Sequence, residues 1–234
     1  MIEESNFVVY LSISQKKFEI YLLDKINLKN IYKEELDVEN YTDVINYKLL
    51  GSFLDKNIFK IEKLIGNFLK GIVLILESDQ ILNFSVGIKK KNYGEKINKQ
   101  YLESSLIELK DLFKENYQNN IIIHFIINRY SIDQVNYTSF EEEIDGNDMC
   151  VEVNFISVPN IFVKQISNVL EKYQIKIDRL FEKKYIKNFF QEDSLDLSII
   201  AFKIQSGQNH NEVGLVPKSI KKRGFFEKFF QLFG

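Results

Sequence analysis

The sequence is poor in the residues that most site chemistry needs. Its 234 residues hold one cysteine, Cys150, and two histidines, His124 and His210. A lone thiol closes no internal disulfide, and no Cys or His pair has metal-ligand spacing. Zinc and thiol-nucleophile chemistry are therefore not expected, and no catalytic or metal-binding residue is assigned. His124 sits inside an apolar strand and reads as a core or edge residue. The ten glycines are scattered, and the one Asp-Gly pair, Asp145-Gly146, lies in the acidic stretch SFEEEIDGND. That leaves no Gly-rich loop to cradle phosphates. The calcium-loop spacing is also missing from the acidic stretch, which reads as a solvated loop. A formal net charge of −2 gives no global basic field for nucleic acid. Lys89, Lys90 and Lys91 beside Tyr93 read as a solvated turn. The longest apolar run, IIIHFII, is far short of the roughly 20 residues that span a bilayer. The start, MIEESN, lacks the apolar stretch of a secretory signal, so none is expected.

What is present describes a globular chain with a real core: 45% hydrophobic and 27% charged residues. FVVYLSIS (7–14) and KFEIYLLD (17–24) read as strands, followed by a weakly patterned stretch through NIYKEELDVENYTD. Asp55 is a candidate cap for a helix over KNIFKIEKLIGNFL, with Ile58, Ile61, Ile65 and Phe68 on one face and Gly71 after its end. GIVLILE (71–77) and ILNFSVGI (81–88) read as strands. KINKQYLESSLIELKDLFKENY is the clearest helix, with Asn98 as N-cap and a stripe of Leu102, Leu106, Leu109 and Phe113. Strands over 120–127 and 150–158 follow, then a helix from near Pro159 and a strand over 175–181. SLDLSIIAFKIQ (194–205) reads as a short helix. SGQNHNEVGLVPKSIKKRG (206–224) has turn residues and no period, which is the pattern of a linker.

This order of elements resembles the actin-like bacterial cell-division family of FtsA. FLDKNIFKIEKLIGNFLKGIVLILE is similar to the family's helix and strand leading into its inserted subdomain. IIIHFIINRYSIDQVNY resembles a strand and turn of that insertion. MCVEVNFISVPNIFVKQISNVLEKYQIKIDRLF resembles the return to the core, and SLDLSIIAFKIQSG its last helix. The resemblance implies an α/β (α+β) fold: a shortened actin-like, ribonuclease H-like core with an SHS2-type strand-helix-strand-strand insertion. The implied organisation is 1–77 as the first part of the core, 78–156 as the insertion and 157–205 as the return. A linker (206–224) and a membrane-targeting helix (225–234) complete it. Family members are well over a third longer, with two further subdomains that have no counterpart here. Where the family's first phosphate loop reads roughly DIGTSK, this chain reads SISQKK. Ser12 replaces the metal-directed Asp and Ser14 the close-approach Gly. No nucleotide cofactor is expected, and the reading is non-enzymatic. The resemblance implies division proteins as partners and the insertion as a protein-binding surface. FtsZ binds the family through one of the missing subdomains, which leaves direct FtsZ binding open.

The last ten residues, FFEKFFQLFG, contain five phenylalanines. At helical spacing Phe225, Phe226, Phe229, Phe230, Leu232 and Phe233 fall within an arc of roughly 160°, opposite Glu227, Lys228 and Gln231. Lys218, Lys221, Lys222 and Arg223 form a basic cluster just upstream. This is the pattern of an interfacial helix, with rings at the acyl boundary and cations on anionic lipid. So short a helix binds weakly alone, and self-association would raise its avidity. The expected place is the cytoplasmic face of the inner membrane, at the division site. Two other readings stay open: a divergent actin-like ATPase, and a soluble interaction module whose tail fills a partner's groove.

Overall fold

The computed structural model describes residues 6–94, 96–137, 143–189 and 195–213. The chain forms two compact units, Met1–Ile81 with Val158–Gln208, and Leu82–Ser157 with Asn209–Gly234. The ten tail and basic-cluster residues singled out from the sequence, Lys218 through Phe233, lie outside the described residues.

The first unit is built on five strands: β1 (Phe7–Ile13), β2 (Lys17–Asp24), β3 (Lys29–Asp37), β4 (Gly71–Leu76) and β9 (Lys176–Glu182). Their order is β3-β2-β1-β4-β9. The β1–β2 and β2–β3 pairs are antiparallel, whereas β1–β4 and β4–β9 are parallel. Strands β1, β2 and β4 are nearly continuous buried apolar runs, as a sheet covered on both faces requires. Helix α1 (Tyr47–Ile65) covers one face, with Phe53 packed at 6.2 Å from Phe18 and Asn57 accepting from the Tyr32 hydroxyl at 2.6 Å. Helix α3 (Asn160–Glu171) lies beside it, where Gln165 accepts from the Tyr47 hydroxyl. The opposite face holds Tyr10, Tyr21, Val73 and Phe181 against Ile186 of α4 (Lys183–Phe189) and Ile200 and Ala201 of α5 (Leu197–Lys203). The Tyr10 hydroxyl donates to Gln205 at 3.2 Å, fixing the turn after α5 on the sheet.

Two sequence expectations change here. The first helix begins eight residues before Asp55, because the Asn46 side chain accepts from the Leu49 N–H and Leu50, Phe53 and Leu54 extend the buried stripe. It ends at Gly66, whose φ of 70° supplies the left-handed cap, so Phe68 lies beyond the helix and is exposed. The weakly patterned stretch contains β3, an edge strand whose charged residues conceal its period and also discourage edge pairing.

The second unit runs β5 (Leu82–Lys91), α2 (Lys99–Asn116), β6 (Asn120–Ile132), β7 (Val135–Tyr137) and β8 (Asp148–Pro159), in sheet order β5-β8-β6-β7. Asn98 caps α2 by accepting from Tyr101 N–H at 3.1 Å. Leu106, Leu109 and Phe113 pack on Phe125, Val151, Val153 and Phe155, with the Phe113, Phe125 and Phe155 rings stacked or tilted at 4.7–5.0 Å. The start of the expected linker does not run free. Asn211 C=O accepts from Ile127 N–H at 2.9 Å, and Val213 N–H donates to Phe125 C=O at 2.8 Å. Residues 211–213 therefore pair with β6, and Val213 joins this unit's core.

Candidate functional site at the carboxyl ends of the parallel strands

In open α/β sheets, ligands gather at the carboxyl ends of the parallel strands. In the first unit those ends are Ile13, Leu76 and Glu182, with the β1–β2 hairpin, Glu77 and the start of α4 beside them. This is also where the SISQKK stretch stands for a phosphate loop. The hairpin satisfies its own backbone. Ser14 N–H donates to Lys17 C=O at 3.0 Å, while Lys16 and Lys17 N–H both donate to the Ser14 hydroxyl oxygen at 3.3 and 3.0 Å. The Ser14 hydroxyl in turn donates to Lys17 C=O. These three amides, the groups that would face a phosphate, are spent within the turn.

Behind the turn lies a buried ion-pair network. Glu19 stands opposite Ser12 in the β1–β2 register and accepts from its hydroxyl at 3.2 Å and from the Tyr21 hydroxyl at 2.9 Å. Lys183 Nζ reaches Glu19 at 3.4 Å and Glu77 at 3.1 Å, and Lys17 lies 4.0 Å from Glu19. Glu19 and Lys183 are 8% and 9% exposed. Burial opposes the charge on Glu19, but the Tyr21 hydroxyl and the two ammonium groups outweigh it and hold its carboxyl below the usual range. Burial also drives the Tyr21 hydroxyl upward, reinforced by Glu19, so it remains a donor. Next along the chain, burial raises Glu182 above an ordinary glutamate. The Lys183 ammonium is spent on Glu19 and Glu77, and Lys17 on Glu19 and Glu35. The arrangement clamps the hairpin to the start of α4.

The remaining sequence candidates resolve as local pairs. Lys89 pairs with Asp148, Lys90 with Glu108 and Lys96 with Asp145. Among the described residues no group of three His, Cys, Asp or Glu is placed to hold a metal ion. Cys150 is a half-buried free thiol. His124 is buried in the second unit, its Nδ1 2.7 Å from Glu212 Oε1 in the segment paired with β6. Sequence reasoning missed both networks. The available signal was a glutamate inside the apolar strand KFEIYLLD, since a buried carboxylate needs a partner.

No family model matches the sequence, and no curated protein matches it. Solved structures do show likenesses. One is the cytoplasmic domain of EpsL, an inner membrane component of the type II secretion system of Vibrio cholerae. It is 11% identical at a TM-score of 0.41, over 77% of this chain and 58% of that one. Another is the PilM–PilN type IV pilus biogenesis complex, at 10% identity and a TM-score of 0.46, covering 78% of this chain and 49% of that one. A third is a Bacteroides thetaiotaomicron protein with an actin-like ATPase fold and unknown function. It is 14% identical at a TM-score of 0.36, over 81% of this chain and 58% of that one. The chain thus spans between 49% and 58% of the length of these structures.

The first unit's own strand order and directions define the fold. A β3-β2-β1-β4-β9 sheet, with β2 antiparallel to its neighbours and helices on both faces, is a shortened actin-like, ribonuclease H-like core. Among the described residues no helix is long and apolar enough to cross a membrane.

Proposed function

We propose that the chain is a non-enzymatic, FtsA-like adaptor that tethers division proteins to the cytoplasmic membrane through its C-terminal amphipathic segment. The observation that carries this reading is the phase of Phe225, Phe226, Phe229, Phe230, Leu232 and Phe233 beside Lys218, Lys221, Lys222 and Arg223. Each cation near an anionic surface contributes on the order of 1 kcal/mol. Partly inserted rings add fractions of the roughly 1.5–3 kcal/mol of full burial. Together they give reversible attachment that strengthens when copies assemble.

Two features of the body support a tether rather than an enzyme. The β1–β2 hairpin amides are paired within their own turn and Lys183 is held by Glu19 and Glu77, which suits a scaffold. The segment leading to the tail is fixed at Val213 by strand pairing, so pull on the tail is delivered to the second unit's core. The assignment to division rests on the resemblance in element order to FtsA. Within it, the second unit is the SHS2-type surface for division partners or for a second copy. Fluorescence microscopy of the tagged chain in bacterial cells tests the reading. The full chain should line the membrane with enrichment at septa, and a chain ending at Val216 should be diffuse. Identical diffuse signal from both would sink the tether, and an even rim without septal enrichment would sink the division role.

A further inference from the structure

Helix α1 and the turn after it present an aromatic and basic face to solvent. Phe59 is 72% exposed and Phe68 is 84% exposed. Phenylalanine normally goes to the core, so two such rings this close in the chain call for a physical reason. Lys56, Phe59, Lys60 and Lys63 follow the i, i+3, i+4, i+7 spacing that places residues on one helical face, and all four are exposed. The buried residues Leu50, Phe53, Leu54 and Ile61 take the opposite side.

Phe68 is presented by a built turn. Gly66 N–H donates to Glu62 C=O at 2.9 Å, and Leu69 N–H donates to the Glu62 carboxylate at 3.0 Å. Leu69 points inward at 9% exposure, leaving Phe68 and Lys70 outward. The acids nearby are engaged: Asp55 holds Lys172 and the Tyr173 hydroxyl, and Glu62 holds Leu69. Lys60 lies 3.8 Å from Glu34. Among the described residues, Lys56, Lys63 and Lys70 have no ion-pair partner. Phe59 lies on α1 and Phe68 just beyond its cap, with Lys60 and Lys63 between them in the chain. Exposed rings interleaved with lysines that hold no ion pair among the described residues match an anionic lipid surface in both apolar character and charge.

We infer that this face of α1 and the turn after it is a second lipid-contacting surface, selective for anionic headgroups. It rests on the tether reading, since a weak contact of this size acts on a chain already held near the bilayer. The rings enter the headgroup boundary while lysine stems lie along it and their ammonium groups meet phosphate.

The chain contains no tryptophan, so a single Phe→Trp substitution is a site-specific reporter. The full chain carrying F59W or F68W is mixed with vesicles of phosphatidylglycerol and phosphatidylcholine, and with phosphatidylcholine alone. On the anionic vesicles both variants should shift to the blue and be quenched by brominated acyl chains. F59S/F68S should sediment with those vesicles about fivefold less at an unchanged melting temperature. Chains that sediment through the tail while the introduced indoles keep water-exposed emission would overturn the inference and leave the tether intact. A full chain that does not sediment at all would overturn both.

Discussion

Replacing Lys183 by methionine tests the hairpin clamp, because it removes a charge that bridges Glu19 of β2 and Glu77 just after β4 from the start of α4. Deleting one partner of a buried ion pair costs about 3–5 kcal/mol, since the other charge is left desolvated. Glu19 retains the Tyr21 hydroxyl at 2.9 Å, the Ser12 hydroxyl at 3.2 Å and Lys17 at 4.0 Å. The expected loss is accordingly smaller, about 2–3 kcal/mol. Glu19→Gln should cost about 1–2 kcal/mol, because Lys183 keeps the half-exposed Glu77 at 3.1 Å. Urea unfolding followed by circular dichroism, on both single variants and the double, gives the coupling directly. A value of about 1–2 kcal/mol is expected, and a value within about 0.3 kcal/mol of zero would refute the clamp. The pH dependence has a defined sign. Glu19 is held below its unfolded pKa, so its contribution is present above the unfolded value and fades as pH falls through the folded one. Glu19→Gln should therefore flatten the acid limb of the stability curve.

Two further outcomes follow from the same geometry. Because the hairpin amides are internally paired, magnesium-ATP should leave the melting temperature unchanged, and a clear ATP-dependent rise would restore the ATPase reading. His124→Ala removes the 2.7 Å contact that ties Glu212 to β6 and should cost about 1–3 kcal/mol, with faster hydrogen exchange at Ile127 and Val213; unchanged protection at both would refute the pairing.

The sequence disclosed those parts of the fold whose signals are local. Asn98 and the Leu106, Leu109, Phe113 stripe announce α2 within one stretch, and the apolar runs of β1, β2 and β4 announce buried strands. The start of α1 was hidden because Asn46 competes with Asp55 as a cap, and the buried stripe decides between them. Strand β3 was hidden because an edge strand carries charge at positions that would otherwise alternate. The candidate site was less legible still. Glu19 and Lys183 are 164 residues apart, and His124 and Glu212 are 88 apart, so neither partner is visible from the other. The exposed Phe68 was misplaced for a related reason: it keeps helical phase with Ile58, Ile61 and Ile65, but the helix stops at Gly66.

The tether is the central claim, and vesicle co-sedimentation tests it most directly. The full chain and a chain ending at Val216 are spun with phosphatidylglycerol-containing vesicles across a range of lipid concentrations. The account predicts that the full chain partitions to the pellet at least about tenfold more strongly than the shortened one, with the difference shrinking at high salt. Equal partitioning of the two chains would contradict it.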